Sequence, residues 1–286
     1  IDYVYMNRPH ISIKYVDVLK NYTNSKIIYY GHDLHFLREF REYELTGIEN
    51  LKKSAEEWKK TEFELYEKSD VIYYPSDVEV QEIRKYYPNI NAKAIPAYIF
   101  EEKEMHNQKQ FQNTEGLLFV GGFGHKPNID AVLWFTSSIL PKILKEKPNM
   151  KFYIVGSNPP NEIKSLASEN IIVTGFVSDE ELIELYNQCR IVVVPLRYGA
   201  GVKGKVVEAM YYQMPIVTTL VGAEGIVGSE NILAIAESEK DFSRKVLDLY
   251  DDVDSLNSQS IASLKYINEN FTSKAVQKII SADISD

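Results

Sequence analysis

The sequence predicts an α/β protein of two parallel-sheet halves that face a cleft. Three observations predict this. Short apolar strands alternate with helical segments along nearly the whole chain. A polar stretch without periodicity, residues 99–114, interrupts the alternation. Glycine-bearing loops recur at the carboxyl ends of strands, where open parallel sheets bind their ligands. A length of 286 residues suits two domains.

In the first half, residues 1–98, Asp2–Met6 reads as a strand and Ile11–Asn21 as a helix, from the spacing of Ile11, Tyr15, Val18 and Leu19. Lys26–Tyr30 is a strand ending at Gly31-His32-Asp33. A long polar helical region follows, clearest over Asn50–Ser69, where Leu51, Ala55, Trp58, Phe63 and Tyr66 share a face. Val71–Tyr74 is a strand, Asp77–Tyr86 a helix stopped by Pro88, and Ala92–Ile95 a strand. The chain starts within a strand and has no initiator methionine, so its natural N-terminus is expected upstream and this half is expected to be incomplete. Residues 99–114 read as the linker.

The second half spans 115–270, with a last segment at 271–286. It opens on a strand that ends at Gly121-Gly122. A helix starts near Pro127, a good first helical residue, and Pro141 interrupts or kinks it. Lys151–Val155 and Ile171–Val173 are strands closed by Gly156 and Gly175, with a short helix at Glu162–Ala167 between them. Ser178 to Glu181 is a capping box for a helix ending near Cys189. Ile191–Val194, Ile216–Thr218 and Ile232–Ile235 are further strands. Helices are expected from Ser238 on and within Leu256–Asn268 and Ser273–Ile280. Trp58 and Trp134 are read as core residues.

Composition narrows the function. A net charge of −9 argues against a nucleic-acid binder. A single cysteine excludes an intrachain disulfide and a cysteine metal cage, which suits a reducing cytosol. No run approaches the ~18–20 apolar residues of a membrane span.

The chemistry concentrates in residues 192–219, VVVPLRYGAGVKGKVVEAMYYQMPIVTT. A buried strand runs into a loop with Gly199, Gly201 and Gly204, and then into a short helix, Lys205–Tyr212. Glycines allow close backbone approach, and the first N–H groups of a helix are unpaired, so the loop can hold an anion. Lys203 and Lys205 supply charge. Glu208 stands one turn on, within reach of a ribose if a diphosphate is bound.

The ordered motifs LFVGGFGHKPNIDAV, FYIVGSNPP, VTGFVSDEELIELYNQCRIVVVPL, GAGVKGKVVEAMYYQMPIVTT and GAEGI resemble the C-terminal domain of the retaining GT-B glycosyltransferases of group 1 (family 4-like). IIYYGHDLHFLREFRE and DVIYYPSDVEVQEI resemble the second half of that family's N-terminal domain. NFTSKAVQKII resembles its terminal segment, which crosses back to the first domain. The resemblance implies two Rossmann-like domains and transfer of a sugar, with retention, from a nucleotide-diphosphate sugar to a saccharide or lipid-linked acceptor. Cell-envelope polysaccharide synthesis is the expected setting. It implies that Glu208 holds the donor ribose, that the Gly175-Phe176-Val177 backbone meets the base, and that Gly121-Gly122 is the donor-side loop. His32 matches a cleft-face histidine. The family's first motif glutamate falls on Ala200, so a backbone N–H of Gly199-Ala200-Gly201 is the substitute for the donor-sugar contact. An arginine usual beside Gly121 is replaced by Gly122, leaving Lys126 as the basic candidate. Lys203, Lys205 and His32 are the catalytic candidates. Arg38 and Arg41, with Glu39 and Glu42, either form surface pairs or face the acceptor.

No Asp-x-Asp metal signature stands at the glycine loops, so neither metal nor cofactor is expected. The expected location is the cytoplasm, with peripheral contact at the inner face of the membrane. A dinucleotide-dependent oxidoreductase is a competing expectation, but Pro127 breaks the Gly-x-Gly-x-x-Gly spacing. The remaining alternatives are a non-catalytic sugar-nucleotide-binding subunit, motivated by Ala200, and a GT-B nucleotide-sugar epimerase.

Overall fold

The computed structural model describes residues 1–105 and 109–284. Of the expected linker, residues 106–108 lie outside the described residues. Runs of Val, Ile and Tyr form the strands, because branched and aromatic side chains fill both faces of a covered parallel sheet. The first sheet holds β1 (Tyr3–Asn7), β2 (Lys26–Tyr30), β3 (Val71–Tyr74) and β4 (Ala92–Ala94), in that spatial order and all parallel. The second holds β5 (Leu117–Val120), β6 (Phe152–Val155), β7 (Ile171–Gly175), β8 (Ile191–Val194), β9 (Ile216–Thr218) and β10 (Ala234–Ile235). Its spatial order is β10-β9-β8-β5-β6-β7, also all parallel. Helices cover both sheets, giving two Rossmann-like layers that face one another in the GT-B arrangement.

One expectation about helices is corrected, and the interruption expected at Pro141 is met. Ile11–Asn21 is not one helix: helices Pro9–Ser12 and Val16–Tyr22 flank a turn. Ile11, Tyr15 and Val18 point to solvent, and the side chains buried there are Ser12 and Val16. Between Lys126–Trp134 and Leu140–Glu146, a π-helical turn at Phe135–Ile139 absorbs Pro141, whose missing N–H would otherwise break the ladder. The capping box at Ser178 forms with both its bonds, Glu181 N–H to Ser178 Oγ at 3.2 Å and Ser178 N–H to Glu181 Oε2 at 2.7 Å.

The segment after β4 is tied to the second domain. Phe100 stacks on Tyr211 at 4.6 Å, Lys103 Nζ lies 3.5 Å from the Tyr211 ring centre, and Phe111 is buried in the second core. The chain then returns. Helix Ser273–Ile280 packs Val276, Ile279 and Ile280 on the first sheet. Asp283 pins that return: Lys93 Nζ stands 2.7 Å from both carboxylate oxygens, and the Tyr73 hydroxyl donates at 2.5 Å. Burial alone would raise the Asp283 pKa, but the bonds from Lys93 and Tyr73 outweigh it and the net shift is down. This contribution is therefore present at neutral pH and lost as pH falls through the folded value, which lies under that of a free aspartate. Asp283→Ala is expected to cost about 2 kcal/mol and to speed proteolysis within 273–283, the half-exposed Lys93 moderating the loss. Unchanged cleavage would contradict the anchoring role.

Candidate functional site

The strand order of the second sheet reverses between β5 and β8. They are neighbours, Leu117 opposite Ile191 and Leu118 opposite Val192. The chain leaves β5 toward β6 and leaves β8 toward β9, so the loops after them part and open a crevice. Its floor is built by backbone. Gly121 N–H bonds Val155 O at 2.8 Å and Gly156 N–H bonds Gly175 O at 2.9 Å. Gly156 sits so close to the first turn that a Cβ there would lie 2.0 Å from Gly121 O. Only glycine permits this approach.

Two lysines enter the crevice. Lys203 is the N-cap of helix Gly204–Tyr211 and donates to Gly201 O. Lys205 donates to Asn128 Oδ1 and lies 4.6 Å from the Phe119 ring centre. Asn128 is buried and is itself held by Gly122 O, to which its Nδ2 donates at 2.6 Å. Burial, then the charge of Lys203, pushes the Lys205 pKa down to about 7. Burial likewise lowers Lys203, opposed by Glu224 and Glu79. Among the described residues, neither ammonium has a carboxylate within ion-pair distance. His125 is also pushed down, by burial and then by Arg38, Lys205 and Lys203. A chain of net charge −9 thus keeps a local cluster of basic groups at a helix N-terminus, where a bound anion would favour their charged forms.

Glu208 lies one turn along the helix and is half-buried without a cation partner among the described residues. Burial raises its pKa, the Tyr186 hydroxyl opposes that, and Asp179 adds to it. The Tyr186 hydroxyl is buried and faces Glu208 without a hydrogen bond of normal geometry. Beyond Asp179, Gly175 takes φ 76° and leaves Phe176 79% exposed, an aromatic face open to a planar ring.

The first domain supplies the opposite wall. His32 is exposed after β2, its ring edge-on to Tyr30 at 5.1 Å. Burial and Arg8 lower its pKa, so it stands as the neutral imidazole. Arg38 pairs with Asp33. Arg41 reaches across the gap, 2.5 Å from Glu224 Oε2 and 2.8 Å from Gly199 O. The surface pairs considered for Arg38, Glu39, Arg41 and Glu42 are therefore not what these arginines form; both turn toward the cleft, and Arg41 grips the glycine loop. Tyr98 places its hydroxyl against Gly204, where a Cβ would lie 2.5 Å from it.

The structure brings Gly121, Gly122, Gly199, Ala200, Gly201, Lys203 and Lys205 around one crevice, with Glu208 along the helix that leaves it. Lys126 stands apart. Its side chain is 74% exposed and its Nζ lies 3.7 Å from Glu42 Oε1, on the rim. Asn128, one turn into that helix, does the inward work that sequence reasoning gave to Lys126. Its signal was a polar residue in an otherwise apolar helical start, KPNIDAVLW. Glu79 and Glu224 also went unnoticed.

Residues 114–252 match the family model described as glycosyl transferases group 1. A curated relative from Klebsiella pneumoniae, an uncharacterized 44.6 kDa protein in the cps region, is 29% identical over 168 residues, 56% of this chain and 43% of the relative. The chain thus matches less than half the length of that relative. Sucrose-phosphate synthase from Thermosynechococcus elongatus superposes with a TM-score of 0.75 at 14% identity, over 97% of this chain and 71% of that one. TarM does so at 0.74 and 16% identity, over 96% and 53%. WaaG, a glycosyltransferase involved in lipopolysaccharide biosynthesis, does so at 0.64 and 14% identity, over 94% and 80%. At these identities the structural likeness speaks to fold.

Proposed function

Because residues 114–252 match the family model described as glycosyl transferases group 1, we propose that the protein moves a glycosyl group from a nucleoside diphosphate sugar to an acceptor hydroxyl, with retention at the anomeric carbon. The observation that carries this is a pair of partly buried ammonium groups, Lys203 and Lys205, at a topological switch point, with no carboxylate at ion-pair distance among the described residues. A diphosphate seated there lies against two cations and the start of helix Gly204–Tyr211. As the sugar–phosphate bond breaks, negative charge grows on the leaving diphosphate, and groups already in place stabilise it without reorganising. Glu208 takes the ribose hydroxyls and Phe176 the base. His32 and Arg38 stand on the acceptor side. Lysines, rather than a divalent cation, neutralise the diphosphate.

The acceptor we favour is a saccharide or a lipid-linked saccharide, in polysaccharide synthesis at the inner side of the cell envelope. The cps-region relative supports that setting. Among the described residues no helix is long and apolar enough to cross a membrane.

Calorimetry with UDP, GDP and ADP tests the donor site. One of the three is expected to bind, and Glu208→Ala is expected to weaken it by roughly tenfold through loss of charge-assisted hydrogen bonds. Absence of binding by all three would defeat the proposal. Ala200, in place of an acidic sugar contact, favours a second reading in which the site binds nucleotide sugar without turnover. Binding with no product from a panel of donors and acceptors, assayed on the full-length protein, would select that reading.

A further inference from the structure

Glu79 is a carboxyl only half explained by local structure. It lies in the first turn of helix Asp77–Arg84 and is fully buried. Ser76-x-x-Glu79 has capping-box spacing, and Ser76 Oγ donates to Glu79 Oε2. That accounts for one oxygen. The other, Oε1, is buried with no hydrogen-bond partner, which is costly. It is aimed at the opposite domain. A Cβ on Gly201 would lie 2.8 Å from Oε1, and Gly201 holds φ 78°, which side chains rarely adopt. A Cβ on Gly225 would lie 2.9 Å from Ser76 Cβ. Two glycines of the second domain therefore press on one Ser–Glu pair of the first.

We propose that Glu79 is a positioning residue: its carboxyl is the seat on which the first domain sets the Gly199–Lys203 loop, and through that loop it fixes where the Lys203 ammonium stands. This deepens the donor-site proposal and rests on it for the identity of the ligand, while the seat itself belongs to the unliganded chain. Ala200 leaves the loop no acidic side chain of its own; Glu224 of the same domain accepts from Gly201 N–H at 3.4 Å, and Glu79 meets the loop from across the gap. The titratable and charged groups facing this point are Glu224 after helix Leu220–Ala223, Lys203 at the start of helix Gly204–Tyr211, Arg41 from helix His35–Thr46, Asp33 after β2, and the Tyr30 and Tyr66 hydroxyls. Burial pushes the Glu79 pKa up to about 7, with Glu224 adding to the rise and Ser76 and Lys203 opposing it. Near neutrality the carboxyl is thus poised between a protonated form, which can donate from Oε1, and an ionised form with an unpaired buried oxygen. A diphosphate that draws Lys203 away removes a cation from beside Glu79, and the carboxyl then takes a proton from solvent.

Amide hydrogen exchange at residues 199–203 of the unliganded chain tests the seat. Protection factors would be compared at about pH 6 and about pH 8 for wild type, Glu79→Gln and Glu79→Ala. Wild type is expected to lose roughly tenfold in protection across that interval, as the buried carboxyl ionises. Glu79→Gln, which leaves Lys203, Arg41 and Glu224 in place, is expected to stay protected at both values. Glu79→Ala is expected to be unprotected at both. Should Glu79→Ala fail to fold, the comparison of wild type with Glu79→Gln decides. Equal protection in those two at both pH values would overturn the proposal, and so would a folded Glu79→Ala that protects the loop like wild type. Calorimetry with UDP, GDP and ADP on the same proteins separates the two ideas. No binding by wild type would defeat the donor site and leave the seat to stand or fall on exchange alone.

Discussion

Replacing Lys205 with methionine lowers the affinity for a nucleoside diphosphate by roughly ten- to hundredfold, the loss expected when one charge-assisted hydrogen bond to phosphate disappears. Methionine keeps the length and apolar packing beside Phe119 and removes the charge. The effect also carries a pH signature. In the free protein, burial holds the Lys205 pKa near 7. A bound diphosphate favours the ammonium, so the bound pKa is higher. Between the two values binding takes up a proton, and wild-type affinity falls as pH rises above neutrality, by up to roughly tenfold per pH unit. Lys203, shifted in the same direction, leaves a residual slope in the variant. Titrations at several pH values check both parts. Equal affinity in wild type and Lys205→Met would remove this side chain from the site.

Gly156→Ala is the second large effect. The new methyl would lie 2.0 Å from Gly121 O and 2.7 Å from Gly121 C, and neither atom belongs to a side chain that could swing away. Relief requires the ends of β5 and β6 to part, breaking the bonds that stitch Gly121 to Val155 and Gly156 to Gly175. The expected cost is about 3 kcal/mol, in the range of overpacked cores, together with a loss of nucleotide binding as the crevice floor shifts. Gly124→Ala is the matched control. A Cβ there meets nothing within 4 Å, so its stability should stay near that of wild type. Thermal unfolding of the two variants side by side reads the difference, and equal midpoints would show that the close approach is absent.

These predictions depend on parts of the molecule that differ in how far sequence discloses them. The strands Lys26–Tyr30, Val71–Tyr74, Ile191–Val194 and Ile216–Thr218 fall where their apolar runs place them, because a sheet covered on both faces demands unbroken apolar sequence. The parallel α/β architecture follows from their alternation with helices. The helix expected over Ile11–Asn21 failed for the opposite reason. Three of its four spaced residues, Ile11, Tyr15 and Val18, face solvent while Leu19 packs on the core, and periodicity alone cannot say which face a neighbour covers.

The site divides in the same way. The glycine loop, Lys203, Lys205 and Glu208 are contiguous in sequence, so one motif displays them together. Asn128, Glu79 and Glu224 reach the crevice from separate elements. A glutamate in a helical first turn reads as a dipole partner at the surface. Only tertiary packing, with Gly201 and Gly225 pressed on Ser76 and Glu79, buries that carboxyl. Lys126 misled because a basic residue beside a phosphate loop is an obvious candidate, whereas its backbone direction sends it to the rim and Glu42.

The most direct test is a crystal structure of the chain with UDP, or with whichever nucleoside diphosphate binds. The account places the β-phosphate within about 3 Å of the Lys203 and Lys205 ammonium groups, over the start of helix Gly204–Tyr211, with ribose hydroxyls on Glu208. A diphosphate found elsewhere, or one seated in the crevice with both ammonium groups still turned to Gly201 O and Asn128 Oδ1, would contradict it.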